Sequence, residues 1–119
     1  MRLAIKEAEK HESIYGAVLA MGDQAAVSVS EVPADQYDPV GHAILQAIRE
    51  LGAMTHQKQF PGYTLYSTVE PCPMCAAACI WTKIDQIVYG LSRNDLPEDR
   101  YPANTDLKRL FEEADYSIE

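Results

Sequence analysis

The chain is short of basic residues and of long apolar runs. It carries 10 lysines and arginines against 18 acids, a net charge of −8 at pH 7 over 119 residues. Proteins that bind polyanions need lysines and arginines to displace counterions, and no basic stripe is visible here. No apolar run approaches the ~20 residues of a membrane-spanning helix, and the first three residues begin a charged helical pattern rather than a signal peptide. We therefore expect a cytoplasmic protein with no membrane partner, and the charge disfavours nucleic acid.

Cysteine is scarce as well. The three cysteines all fall between Cys72 and Cys79. An odd number so closely spaced is a poor disulfide framework and favours an intracellular metal site. The chain is large enough for one core and too short for two, and no repeat or linker divides it. We expect a single domain over residues 1–119.

Hydrophobic periodicity predicts an alternation of helices and strands. Apolar residues recur at helical spacing from Gly41 to Leu51, and Gly52 is predicted to end that helix. A turn at 21–24 predicts a hairpin. The predicted helices are 2–10, 41–51, 73–81 and 106–114, and the predicted strands are 15–20, 25–30, 63–69 and 84–91. This order predicts an α/β fold in which helices cover a mixed sheet.

The run PCPMC at 71–75 carries the strongest chemical signal. A proline suits the first turn of a helix, and a C-x-x-C at a helix start can bring two sulfurs to one point. The positive helix terminus lowers the thiol pKa, and the thiolate is the form that zinc binds. Alone, the motif also fits a redox dithiol, half of a structural zinc site or two buried cysteines. His42, at a second predicted helix start, favours a Cys2His zinc site with Cys72 and Cys75 that leaves a fourth position for water, the catalytic type.

Four further residues could join such a site. Cys79 falls on the same helical face as Cys75, but a small buried residue behind the site is the favoured interpretation. His11 and His56 lie in polar, loop-like contexts and are predicted to face solvent. Glu70 immediately precedes the motif, and we expect it to hydrogen-bond to backbone in the strand-to-helix turn rather than to act as a base.

These residues resemble the cytidine deaminase superfamily, and within it the guanine deaminase and tRNA adenosine deaminase branch. Its signature is H-x-E followed by P-C-x-x-C. The similar segments are 15–18, 41–43, 46–49, 68–75 and 87–90. The resemblance implies a three-layer α/β/α sandwich, usually dimeric, which hydrolyses an exocyclic amine of a small nucleobase or nucleoside to a carbonyl and releases ammonia. It also implies zinc as the cofactor, held by His42, Cys72 and Cys75.

The chain departs from the family at the catalytic position. Ile44 stands where the family has a glutamate that moves protons. General acid–base assistance is worth roughly 10²–10⁴ in rate, and an isoleucine can carry no proton. We expect strongly impaired chemistry. Equally, Ile44 extends the apolar stripe of its helix by one residue, and the two interpretations are compatible.

The residues that would contact the substrate match the family's pattern only in part. An asparagine that family members use to hold the substrate is absent, and Ser30 or Glu31 occupies that region. Trp81 lies six residues after Cys75, where guanine deaminases of this type carry a tryptophan beside the base. An aromatic ring on the apolar side of a helix is equally typical of a core, so both interpretations of Trp81 stay open.

Two functions compete. The first is a zinc-dependent deaminase of a small substrate, with a guanine-type substrate favoured by the acidic charge. The second is a silent partner or regulatory subunit that keeps zinc for stability, as a homodimer or as a heterodimer with a related deaminase subunit. The non-catalytic subunit of the eukaryotic tRNA adenosine deaminase, in which an aliphatic residue replaces the same glutamate, is the precedent. A redox or zinc-buffering protein is a third, weaker interpretation.

Overall fold

Seven helices and strands make up the described part of the chain, which in this computed structural model comprises residues 1–10, 15–30, 38 and 40–92. They follow one another as α1 (Arg2–Lys10), β1 (Gly16–Met21), β2 (Gln24–Ser30), α2 (Ala43–Thr55), β3 (Tyr63–Val69), α3 (Pro73–Trp81) and β4 (Gln86–Leu91). The predicted order of the first seven elements is confirmed. The predicted helix 106–114 lies outside the described residues.

The four strands form one mixed sheet in the order β2-β1-β3-β4. β1 pairs antiparallel with both β2 and β3, whereas β3 and β4 are parallel. Gly22, at φ +62°, occupies the first position of the two-residue turn between Met21 and Gln24, where a side chain would be strained. The parallel pair is joined by α3, the helical crossover that such a pair requires.

Alternate residues of β1 point into two separate layers. Ala17 and Leu19 belong to the main core with α2, α3 and β3, and the core extends to Leu51 and Phe60. Val18 and Ala20 face the other side, where Ala4 of α1 covers them. Helices therefore lie on both faces of the sheet, and the predicted three-layer α/β/α sandwich is confirmed. No helix among the described residues has the length and apolarity to cross a bilayer.

Several predicted boundaries are wrong, and the contacts explain two of them. Gly52 does not end α2, which continues to Thr55 and closes where the His56 N–H donates to the Gly52 carbonyl at 2.9 Å. A side chain at position 52 would place its Cβ 3.3 Å from the Gln57 carbonyl oxygen, so glycine here serves close packing of the following loop. β4 begins at Gln86 rather than at Ile84, because the Ile84 N–H donates to Cys79 of α3 instead of to a strand.

Candidate metal centre

Two helix N-termini converge at one end of the sheet. His42 is the N-cap of α2 and Cys72 the N-cap of α3, both with extended backbone angles. Pro73 follows in the first turn of α3, where its missing N–H leaves no partner unsatisfied. Cys75, also in that first turn, is buried with 1% of its surface exposed. The backbone thus places the imidazole and both thiols at the positive ends of two helices.

The three side chains meet as a compact group. His42 Nδ1 lies 3.4 Å from Cys72 Sγ and 3.4 Å from Cys75 Sγ. All three ligand atoms lie within 4.8 Å of one another. Among the described residues, these three side chains are the group that could hold a metal ion. A tetrahedral zinc ion with ordinary Zn–N and Zn–S bonds holds nitrogen and sulfur about 3.5 Å apart. The spacing and the donor types therefore fit zinc, and three donors leave one tetrahedral position for a non-protein ligand.

The two thiols have opposite acidities in the metal-free protein. The hydrogen bond with Cys75 contributes most to lowering the pKa of Cys72 to about 4, and His42 adds to this effect against the opposing effect of burial. The same hydrogen bond, followed by burial, raises the pKa of Cys75 well above its usual range. Cys72 is consequently the thiolate of the pair at neutral pH, and Cys75 holds the shared proton.

Leu45 supplies a main-chain contact that sequence reasoning missed. A backbone hydrogen bond from Leu45 lowers the pKa of Cys75, in opposition to the larger effects that raise it. An N–H in the first turn of a helix has no intrahelical partner, so it is free to donate to a sulfur. The signal was available in the position of Leu45 three residues after His42, in the first turn of α2.

The neighbouring candidates stay outside the cluster. Cys79 is fully buried in the main core, and burial raises its pKa to about 12, which confirms that it packs as a small apolar residue. His56 is the exposed left-handed C-cap of α2, at the opposite end of that helix from His42. His11 lies outside the described residues. Glu70 is in the strand-to-helix turn as predicted, and its N–H donates to the Leu91 carbonyl at 2.7 Å.

Ile44 belongs to the core. It is 5% exposed and packs with α2's other apolar residues, so the apolar stripe does extend through this position. Ser30 ends β2 and pairs with Gly16, whose N–H donates to Thr68 Oγ1 at 3.0 Å. Ser30 thus lies at the end of the sheet from which the chain proceeds to Cys72. Glu31 lies outside the described residues.

Trp81 is not a core residue. It is 82% exposed, so the interpretation of this tryptophan as core is wrong. It ends α3, six residues and about 9 Å along the helix axis from Cys75. Its ring lines an open groove of about 430 Å³ between α2 and α3.

Comparison with known proteins shows which family this chain resembles. Residues 1–91 match the family described as "Cytidine and deoxycytidylate deaminase zinc-binding region". The chain is 34% identical over 94 residues to a tRNA-specific adenosine deaminase of Bacillus subtilis, covering 76% of this chain and 58% of that protein. It is 31% identical over 115 residues to the tRNA-specific adenosine deaminase of Buchnera aphidicola, covering 93% and 73%. The chain therefore spans little more than half the length of the first of these relatives.

The fold matches solved deaminases. The structure of guanine deaminase from Bacillus subtilis superposes with a TM-score of 0.76 at 24% identity, covering 98% of this chain and 74% of that one. At this identity the likeness concerns the fold alone. In the present chain the His–Cys–Cys group lies at the start of α2 and of α3.

Proposed function

The chain belongs to the cytidine and deoxycytidylate deaminase family with its zinc-binding domain, and on that premise we propose that it is a zinc-binding deaminase domain with strongly impaired hydrolytic activity. His42, Cys72 and Cys75 are the proposed zinc ligands. The observation that carries the proposal is a pair: the three donors are spaced for zinc, while Ile44, two residues from His42, is an apolar residue of the core.

The proposed ancestral reaction is replacement of an exocyclic amine by a carbonyl. Water adds to the ring carbon, the carbon–nitrogen bond breaks and ammonia leaves, so protons must move from water to the ring and to the amine. When bound, zinc acts as a Lewis acid toward water. Ile44 has no titratable atom, and its burial among apolar side chains keeps water away from that position. The loss of a positioned proton carrier costs roughly 10²–10⁴ in rate.

The substrate we propose is a small nucleobase or nucleoside, with guanine-type bases favoured by the net charge of −8. The relatives named as tRNA-specific adenosine deaminases make adenosine, free or in tRNA, the competing substrate. Ser30 and Glu31 are proposed substrate contacts near the end of β2. Trp81 is the third, although within one chain it lies at the far end of α3 from the cluster.

A second candidate function is a silent partner. Burial of Ile44 in the core favours it, because the side chain contributes packing where the family has a proton carrier. Under this proposal the chain keeps zinc for stability and pairs with a second copy or with a related deaminase subunit. Residues 1–119 then form a single domain, and the protein is cytoplasmic.

The test is ammonia release by the zinc-loaded chain and by two variants, Ile44→Glu and Ile44→Gln. The substrates are guanine, adenosine, cytidine and an adenosine-containing tRNA anticodon stem-loop. We expect no turnover by the original chain and a gain of at least about 10²-fold on one substrate for Ile44→Glu. We expect no gain for Ile44→Gln, because glutamine has the shape of glutamate but cannot take up and release a proton. Rapid turnover by the original chain would contradict the proposed impairment. Silence of all three proteins with zinc bound would favour the silent partner.

A further inference from the structure

One end of β4 lies against the segment that leads to Cys72. The register pairs Val69 of β3 with Leu91 of β4, and this places Gly90 beside Thr68. A Cβ atom at position 90 would lie 3.0 Å from the Thr68 carbonyl oxygen and 3.8 Å from its carbonyl carbon. The first of these distances is shorter than ordinary van der Waals contact. The absence of a side chain at position 90 therefore lets the two strands approach each other closely here.

Backbone conformation does not explain the glycine at this position. Of the glycines in the described part of the chain, Gly22 and Gly62 have a positive φ, and Gly90 does not. Gly90 lies within β4, in extended backbone that any residue can adopt. The requirement for glycine is therefore steric, and it concerns the Thr68 carbonyl.

Thr68 is held from two sides. Its Oγ1 accepts a hydrogen bond from the Gly16 N–H of β1 at 3.0 Å, and its carbonyl lies against Gly90 of β4. Two residues further on, the Glu70 N–H donates to the Leu91 carbonyl at 2.7 Å. Both neighbouring strands thus restrain the end of β3. A methyl group at position 90 would consequently displace this end of the strand, because no loose loop lies there to yield.

The connection from β3 to α3 is short and stiff. Three residues separate Thr68 from Cys72. The ring of Pro71 fixes its φ and restricts Glu70 before it to extended conformations. Cys72 is restricted in the same way by Pro73, and it is extended at φ −71° and ψ 168°. A displacement of Thr68 is therefore transmitted to Cys72, since the residues between them have little freedom to absorb it.

We propose that Gly90 is a positioning residue of the metal centre: by admitting the Thr68 carbonyl, it fixes the position of the Cys72 thiol in the cluster. The cluster tolerates little displacement. Cys72 Sγ lies 3.4 Å from His42 Nδ1, and a metal site requires its bond lengths to stay within about 0.2 Å of their usual values. This inference rests on the proposed function only in taking zinc as the ion that the cluster holds.

Gly90→Ala tests the proposal, with Gly52→Ala as the matched control. A Cβ atom at position 52 would lie 3.3 Å from the Gln57 carbonyl oxygen, so both variants press a methyl group against a backbone carbonyl. Position 52 is near the end of α2 that is remote from His42. We expect Gly90→Ala to weaken zinc binding by about 10–100-fold, the loss typical when the support of a metal ligand is removed. Gly52→Ala should bind zinc as the original chain does, and competition with a chromophoric chelator measures both dissociation constants.

A second readout does not depend on zinc. In the reduced, metal-free chain, ¹⁵N-labelled cysteine gives amide signals from Cys72, Cys75 and Cys79. Gly90→Ala should move the Cys72 signal most and the Cys79 signal least, because Cys79 is held in the main core. Gly52→Ala should leave the Cys72 signal in place. A chain that binds no zinc would contradict the proposed function, whereas these signals would still show whether Gly90 positions Cys72.

Hydrogen exchange in the unmodified chain covers the case in which Gly90→Ala does not fold. Coupling between two parts of a molecule is reciprocal, so zinc binding at the cluster should stabilise the contact between β4 and the segment that leads to Cys72. Zinc should therefore slow exchange of the Glu70 amide, which donates to Leu91, by a larger factor than it slows exchange of the His56 amide at the far end of α2.

Three results would overturn the proposal. The first is a folded Gly90→Ala in which the Cys72 signal does not move. The second is a Gly90→Ala that is less stable than the original chain but binds zinc equally tightly, because Gly90 would then serve packing alone. The third is an equal effect of zinc on exchange at Glu70 and at His56, since the end of β4 would then not be coupled to the cluster.

Discussion

His42 Nδ1 and Cys72 Sγ lie 3.4 Å apart although 30 positions separate them in the chain. The contact exists because each residue is the N-cap of its own helix, and the sheet brings the two helix starts together. The cluster therefore links the starts of α2 and α3. Metal binding should consequently stabilise both helices.

The first prediction concerns zinc content. His42→Asn should lose zinc, because two thiols alone leave the tetrahedral set half filled. The metal-bound original chain should also melt at a higher temperature than its metal-free form, since zinc binds the folded state, and His42→Asn should lose that increment. Zinc stoichiometry by mass spectrometry and thermal unfolding with and without chelator measure both effects.

The control for this prediction is the same substitution at the other end of α2. His56→Asn changes an exposed histidine in a left-handed C-cap, a conformation that asparagine tolerates. It should bind zinc as the original chain does. Equal zinc content in His42→Asn and His56→Asn would show that His42 is not a ligand.

The second prediction concerns the cost of restoring a carboxylate at position 44. Ile44 is 5% exposed, so Ile44→Val should cost about 0.5–1.5 kcal/mol of unfolding free energy. Ile44→Glu should cost more in the metal-free chain, because burial disfavours the charged carboxylate. Burial raises the pKa of the introduced carboxyl in the folded state above its pKa in the unfolded chain. The loss of unfolding free energy is therefore present above the unfolded-state pKa and is relieved as the pH falls.

Urea denaturation of the metal-free proteins at acidic and at neutral pH measures this difference. The difference in unfolding free energy between Ile44→Glu and the original chain should become smaller at acidic pH. The corresponding difference for Ile44→Val should not change. A glutamate variant as stable as the original at neutral pH would mean that the side chain at position 44 reaches water.

The sequence predicts the metal cluster and the three-layer fold better than it predicts the surface. His42, Cys72 and Cys75 could be placed because helix-start signals are local, and a helix start fixes where its first side chains point. The exposure of Trp81 could not be predicted, because every residue of α3 from Pro73 to Trp81 is apolar or small. With no polar residue to mark an outer side, only packing against the sheet determines which residues face solvent.

The role of Gly52 escaped prediction for a related reason. A glycine near the end of an apolar pattern usually ends the helix. Here it lies inside α2, and the reason is the loop that folds back to bring the Gln57 carbonyl oxygen close to it. That contact is tertiary, and no local pattern encodes it.

The third prediction tests how α2 is anchored. Leu51 is fully buried in the main core, and Leu51→Ala should cost about 2–5 kcal/mol. Met54 lies on the same helix with 57% exposure, and Met54→Ala should stay within about 0.5 kcal/mol of the original. Denaturant midpoints at a common m-value measure both. Similar losses in the two variants would contradict the burial of α2 that positions His42.

The fourth prediction concerns thiol reactivity in the metal-free chain. Alkylation proceeds through the thiolate, and the pKa of Cys72 is lowered to about 4 while that of Cys79 is raised to about 12. At pH values between these two, iodoacetamide should modify half-buried Cys72 and spare fully buried Cys79. The rate at Cys72 should fall only as the pH drops through about 4, where the thiolate gains its proton. Fragmentation of the modified peptide identifies the labelled cysteine.

Zinc and denaturant separate acidity from exposure in this experiment. Saturating zinc should protect Cys72, because a coordinated sulfur is a poorer nucleophile, whereas full unfolding should make the three cysteines react alike with the pH dependence of ordinary thiols. His42→Asn should move the midpoint at Cys72 upward, since His42 contributes part of the lowering. A midpoint near 9 in the folded, metal-free chain, the value before any shift, would mean that neither Cys75 nor His42 stabilises the thiolate, and the cluster would not be organised to receive a metal cation.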